Sequence, residues 1–407
     1  MAPQQPHAVP VRVQAAVYAT ALFSGNLFHI GSVILPLWAL MLNPSPIMIG
    51  IFLGARQILP VLLSIHGGAM MDRFGARRVI LIVGLLSAVT MALFPAMPWF
   101  GAAIVLQMLN GLAESNNWIG AQTLVGQIMR GHPVYTGRMM FVMRLGGFAG
   151  PPAVGLAWDL LGPTGAFMMV TAWITCGWVA ALFLPKDTAT AGRPTPVRAM
   201  KLSDALPRLS DYIDTFRLLA LPAALLVVAS TVVRQAGSGV QASFYVIYLE
   251  SIGISGIGIG SLLGLSAAFS AMASLGVAPS QRFIRSHWLL MIMVAVSIVT
   301  IAITPLLGSY MLLAVAIGVR GVSQGFNLPL LLSIGLRAVE PEDQGKMVAL
   351  RITINRCASA IIPIAMGGLA ELVGIANSFY VLGVLGLVAI AMVSFGILRT
   401  PAFRDHE

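Results

Sequence analysis

The sequence predicts an all-α membrane protein built as two pseudo-symmetric six-helix bundles, and three observations carry the prediction. Only 38 of the 407 residues are charged (24 Lys and Arg, 14 Asp and Glu) while 58% are hydrophobic. The chain therefore cannot cover a water-exposed surface, which excludes a soluble globular class. Stretches such as 79–113 and 288–319 run for more than thirty residues without a charge, whereas a helix crosses a bilayer in roughly 20. Polar and glycine positions also recur in register between the two halves.

Charge clusters, prolines and turn residues divide the chain into twelve predicted spans, at roughly 13–41, 47–70, 77–97, 99–128, 135–161, 165–184, 218–248, 255–277, 288–307, 309–335, 347–371 and 376–397. The first dozen residues hold Pro3, Pro6, Pro10 and one Arg. They lack the basic, apolar and small-residue order of a cleaved signal, so no segment is expected to be removed. Between the sixth and seventh spans, residues 186–217 mix Thr, Pro, Arg and Asp. They are predicted to form a cytoplasmic linker ending in a short surface helix, between bundles at 1–185 and 218–407. With the N-terminus in the cytoplasm, the cytoplasmic ends and loops hold 18 of the 24 basic residues. The opposite side holds no Lys or Arg and three acids, Asp159, Glu250 and Glu371. This positive-inside pattern predicts a protein integral to the cytoplasmic (inner) membrane with both termini in the cytoplasm. The net charge of +10 is mostly this topology signal, so the expected contact is the lipid bilayer and no nucleic-acid partner is expected. Cys176 and Cys357 lie far apart in apolar segments and match no metal or redox spacing. Both are expected to be free, with no metal and no cofactor.

Shifting the second half by 210 positions places Leu53-Gly54 on Leu263-Gly264 and Ile49-Gly50 on Ile259-Gly260. The same shift sets Asn110-Gly111-x-x-Glu114-x-x-Asn117 on Arg320-Gly321-x-x-Gln324-x-x-Asn327. A shift of 212 sets Arg144, Pro151, Gly155, Asp159, Gly162 and Phe167 on Arg356, Pro363, Gly367, Glu371, Gly374 and Phe379. Matches between any two apolar helices are common, but several polar residues in register indicate a duplication, the plan on which many transporters are built.

Between the second and third spans stands Gly68-x-x-x-Asp72-Arg73-x-Gly75-x-Arg77-Arg78, which strongly resembles the loop signature of the major facilitator superfamily. With twelve spans, a six-plus-six repeat and a central linker, the resemblance covers essentially the whole chain. It implies a secondary transporter of major facilitator fold in which this loop latches the cytoplasmic gate. Gly68, Asp72, Arg73, Gly75, Arg77 and Arg78 would then be gating residues. In physical terms the glycines permit a tight turn and the arginines suit the membrane interface. The second copy, from Gly276 to Arg282, lacks the acid. The fifth span carries Gly137, Gly146, Gly150, Pro151 and Gly155, similar to the antiporter motif of exporters in the same superfamily, with Val154 as a departure. On that reading Gly150 and Pro151 are gating residues; on the other they simply permit close packing and a bend.

Six arginines lie inside predicted spans, Arg56, Arg144, Arg234, Arg320, Arg351 and Arg356, against one acid, Glu114. Charge within a bilayer is costly, so such residues face a cavity or a partner. One Glu cannot neutralise six Arg. The surplus predicts a positive cavity for an anion, and the planar guanidinium fork suits carboxylate, phosphate or sulfonate. Arg144 and Arg356, at equivalent positions of the repeat, are the leading substrate ligands, followed by Arg320, Arg234 and Arg56. Arg351 is close enough to the start of its span to snorkel to the interface. Asn117, Gln324, Asn327 and Gln241, with Asn26, Gln57 and Gln235, are expected to add neutral hydrogen bonds. Trp38, Tyr245 and Tyr248 either wall the cavity or anchor at the interface. Glu114 is the expected proton carrier, because burial opposes its charge and a neighbouring Arg favours it; a permanent salt bridge is the alternative. His29 can titrate as well, whereas His66 is expected to make a structural hydrogen bond.

No nucleotide loop, metal cluster or nucleophile set stands in the sequence, so an enzyme is not expected. The expected function is secondary active transport of a small organic anion by alternating access, coupled to protons, in a chain functional as a monomer. A drug or metabolite/proton antiporter of the same superfamily is the alternative. An anion channel is a third reading, which the duplicated architecture disfavours.

Overall fold

The structure is a computed structural model that describes residues 9–63, 71, 74–129, 132–185, 218–337, 339–340 and 343–399. The predicted linker 186–217 and the residues Gly68, Asp72, Arg73 and His66 lie outside the described residues.

The first span is α1 (Val11–Ser24) and α2 (Leu27–Met41), interrupted where the Asn26 amide donates back to the carbonyl of Leu22 (2.9 Å). The second begins with α3 (Pro46–Ala55), breaks at 56–57 and continues to Leu63. Pro60 explains this break, because it has no N–H to offer the carbonyl of Arg56 one turn earlier. Next come α4 (Ala76–Leu93), α5 (Phe100–Met129) and α6 (Pro133–Leu182). Gly162, at φ 69° and ψ −175°, folds the fifty residues of α6 into two arms. A Cβ on Gly146 of the first arm would meet Asn26, and one on Gly177 of the second would meet Phe23. Both arms therefore reach the same level of the first span, so they run antiparallel and supply the fifth and sixth spans.

The second half opens with α7 (Pro222–Gln241) and α8 (Phe244–Ser251), one span broken at 242–243. It continues with α9 (Gly256–Ala273), α10 (Ser286–Ala302), α11 (Tyr310–Arg337), α12 (Gln344–Val373) and α13 (Ile375–Arg399). Eight described stretches are long and apolar enough to cross a membrane, by length and composition. The second arm of α6, together with α5, the broken α7–α8 pair and α10, completes the twelve predicted spans.

The duplication is written into the packing. Two seams join the halves, α6 on α9 and α12 on α3, and in both the backbones touch through glycine. A Cβ on Gly155 would lie 2.0 Å from the carbonyl oxygen of Gly256, and one on Gly367 would lie 2.5 Å from that of Pro46. Likewise Gly260 sits on the carbonyl of Pro151 (2.2 Å) and Gly50 on that of Pro363 (2.3 Å). Positions related by the repeat thus meet partners related by the repeat. The acids follow the same rule. Asp159 accepts from the N–H groups of Gly256 (2.7 Å) and Ile257 (2.8 Å) at the start of α9. Its counterpart Glu371 accepts from the N–H of Ile47 (3.3 Å) at the start of α3. Each carboxylate fastens a helix N-terminus of the opposite half, where orphan N–H groups and the helix dipole favour negative charge. This acidic end is closed by backbone contact; the opposite, basic end carries Arg77, Arg78, Arg282, Arg285 and Arg337.

Candidate functional site

Between the halves lies a small cavity. Phe28, Ser32, Arg56, Gln57 and Gln107 line it from the first half, and Gln235, Ser243, Ser359 and Pro363 from the second. The breaks at 56–57 and 242–243 both open onto it, as in transporter sites built from discontinuous helices.

Arg56 is the one charged side chain on this wall among the described residues. Its Nε donates to Oε2 of Glu114 at 2.9 Å, and its Nη2 donates to the same oxygen. Only 8% of the Arg56 side chain and 13% of the Glu114 side chain are exposed. Phe28 covers one face of the guanidinium, with Cζ 4.6 Å from the ring centroid, a cation–π contact. The local chain explains how the pair meets. Pro60 opens the second span at Arg56, and Gly111 lets α5 settle against the opening. A Cβ on Gly111 would lie 1.8 Å from the carbonyl oxygen of Arg56. Glu114, one turn further along α5, is thereby delivered to the guanidinium.

The second half repeats this junction with neutral groups. A Cβ on Gly321 would lie 2.5 Å from the carbonyl of Ser266, the position equivalent to Arg56, and Gln324 stands where Glu114 does. Gln241 donates to Ser266 (3.2 Å) and lies 3.0 Å from Gln324. The Gln324 amide is assigned with its oxygen toward Arg320, since a guanidinium offers donors only. It then accepts from Nη1 (2.8 Å) and Nη2 (2.9 Å) of the fully buried Arg320. The structure therefore brings Gln241, Gln324 and Arg320 together, inside the second half and off the cavity wall. Asn117 and Asn327 are also buried off the wall, with amide atoms that have no partner.

The remaining residues singled out by sequence are more dispersed. Arg356 crosses from α12 to the first half, donating to the carbonyl of Pro60 (2.7 Å) and the hydroxyl of Ser115 (2.9 Å). Arg144 is exposed, on the α6 arm that packs on α9, so the two repeat-related arginines stand on opposite seams. Arg234 donates to Gln235 (2.9 Å) and to Asn355. His29 is exposed beside Gly147. In the loop ahead of α4, Gly75 has φ 84°, the turn conformation its place in the signature calls for. Arg77 donates to the carbonyl of Leu182 (3.0 Å), and Arg78 is exposed. Gly150 packs on Ile30, and Pro151 presents its carbonyl to Gly260. Trp38 and Tyr245 are buried in the core rather than on the wall, and Tyr248 packs on Phe379.

Gln107 was not singled out by sequence. It is fully buried on the wall, and neither its amide oxygen nor its nitrogen has a partner. The available signal was its place seven residues before Glu114, two turns along one face of α5.

Paired helical halves that close on a polar cavity at the level of their helix breaks define the secondary-transporter class. A model of the Major Facilitator Superfamily matches residues 17–278 and 227–407, and the chain belongs to that family. No curated protein matches it. Among solved structures it is similar to a mutant form of the nucleoside transporter NupG, with TM-score 0.81 and 13% identity, over 95% of this chain and 100% of that one. It is also similar to a bacterial homolog of the human lysosomal transporter Spinster in an inward-facing and occupied conformation (0.74, 12%, 97% and 99%). A third is a POT family transporter in complex with 5-aminolevulinic acid (0.72, 13%, 97% and 97%). At such identities the likeness concerns the fold.

Proposed function

We propose that this transporter carries a small organic anion together with a proton, and that protonation of Glu114 frees Arg56 to bind the anion. The Arg56–Glu114 pair on the cavity wall carries the reading. While both groups are charged, Glu114 occupies the Nε and Nη2 donors of Arg56. Once Glu114 takes a proton, a desolvated guanidinium is left without its counter-charge, and an anion in the cavity restores it. Arg234, Arg320 and Arg356 are bonded to neutral groups, which leaves the surrounding field positive and disfavours a cationic drug. Gln57 and Gln107 from one half and Gln235, Ser243 and Ser359 from the other would hold the solute from both sides, as alternating access requires. On the positive-inside count, the basic end faces the cytoplasm.

A thermal-shift screen of purified protein against sulfonates, carboxylates, phosphonates and cationic amines, at acidic and neutral pH, tests this. A ligand of the folded state at a hundred times its Kd stabilises by about 2.7 kcal/mol. The expected result is stabilisation by an anion, tighter at acidic pH, with sulfonates decisive because they stay ionised throughout. Stabilisation by amines alone would favour the antiporter.

A further inference from the structure

We propose a second anion station, formed by Arg351 and Arg234 with Asn355 and set on the basic side of the central cavity, on the path of the solute between Arg56 and that side. That it serves transport rests on the reading above; that it binds an organic oxyanion rests on its own geometry. Arg351, Asn355, Ser359 and Pro363 recur every fourth residue of α12, a stripe about 18 Å long on one face. Ser359 and Pro363 line the central cavity. Arg351 lines a separate shallow, open depression between α7, α11 and α12, whose other walls, such as Val227, Leu331 and Met347, are apolar. Arg234 joins the two, donating at once to Asn355 and to Gln235 on the cavity wall.

Charge points the same way. Arg351 stands one turn of α12 from Asn355, the partner of Arg234, and neither arginine has a carboxylate partner among the described residues. Each holds a buried Nε–H with no acceptor, one of the donors with which a guanidinium grips an oxyanion. One oxyanion between them would neutralise this charge and engage both spare donors, while its apolar body lies along the apolar depression beside Arg351. The ligand class is therefore a carboxylate, sulfonate or phosphonate carrying a short apolar chain.

Butane-1-sulfonate, which is ionised at all working pH values, tests this by thermal denaturation of the full-length protein in neutral detergent. The expected result is a rise in melting temperature that persists in Arg56→Gln. Added to Arg56→Gln, the substitution Arg351→Gln lowers the apparent affinity about tenfold or more, the loss of a charge-assisted hydrogen bond. Asn355→Asp adds an internal carboxylate beside Arg234, so in the same Arg56→Gln background it should raise the melting temperature without sulfonate and abolish the response. A response absent from the wild type, lost in Arg56→Gln or unchanged when Arg351→Gln is added to Arg56→Gln overturns the station. So does stabilisation by phosphatidylglycerol alone, which would assign the cluster to a lipid headgroup. If the screen finds no anion at Arg56 while the Arg351-dependent response stands, the coupling reading fails and this site remains.

Discussion

Replacing Glu114 by glutamine is expected to abolish accumulation driven by an imposed pH gradient in reconstituted vesicles, while exchange of solute for solute continues. Gln keeps the size of the side chain and resembles the protonated carboxyl, so Arg56 stays available and binding survives. With no proton to release, the gradient has no hold on the cycle, and anion affinity becomes independent of pH. Arg56→Gln should differ in kind. Breaking a buried ion pair by removing one partner is destabilising by about 3–5 kcal/mol if the other stays charged, so Glu114 remains protonated and the anion loses its ligand. Unchanged accumulation by Glu114→Gln would move the proton to His29 or remove it from the cycle.

A smaller chemical change should have a comparable effect. Gly111→Ala puts a methyl group 1.8 Å from the carbonyl oxygen of Arg56, and neither side of that contact is a flexible side chain. The helices must separate, which for overpacking costs about 1–3 kcal/mol and draws Glu114 away from its partner. The expected result is a lowered melting temperature and loss of most uptake. Gly101→Ala on the same helix meets nothing within 4 Å and should be neutral or slightly stabilising, since Ala favours helix over Gly by about 1 kcal/mol. Equal behaviour of the two variants would show that the α5 junction with the second span does not set the site.

The spans, their order and the duplication were legible because bilayer length, loop charge and glycine spacing are local signals. The Gly111 and Gly321 junctions confirm the shift of 210 contact for contact. The pairing at the site was less legible. Arg56 and Glu114 each stood out as buried charges, but they are 58 positions apart, and what unites them is a missing N–H at Pro60 and a missing side chain at Gly111. Repeat equivalence also does not imply contact. A two-fold relation sends Arg144 and Arg356 to symmetric seams, and equivalent residues meet only near the axis. Asp159 and Glu371 read as surface acids because each caps a helix 97 or 324 positions away. Gln107 was hidden by its apolar neighbours in α5 and emerged only from the two unbonded atoms of its amide.

The anion and the proton are expected to arrive together, one on Arg56 and the other on Glu114. Infrared difference spectroscopy of the purified protein, with and without an anion that the thermal-shift screen finds to bind, observes that carboxyl directly. Binding is expected to create a protonated-carboxyl band that shifts in heavy water and is missing from Glu114→Gln. Full binding with no change in the carboxyl region would show that Glu114 keeps its protonation state when the ligand binds, and the coupling through Glu114 would fail.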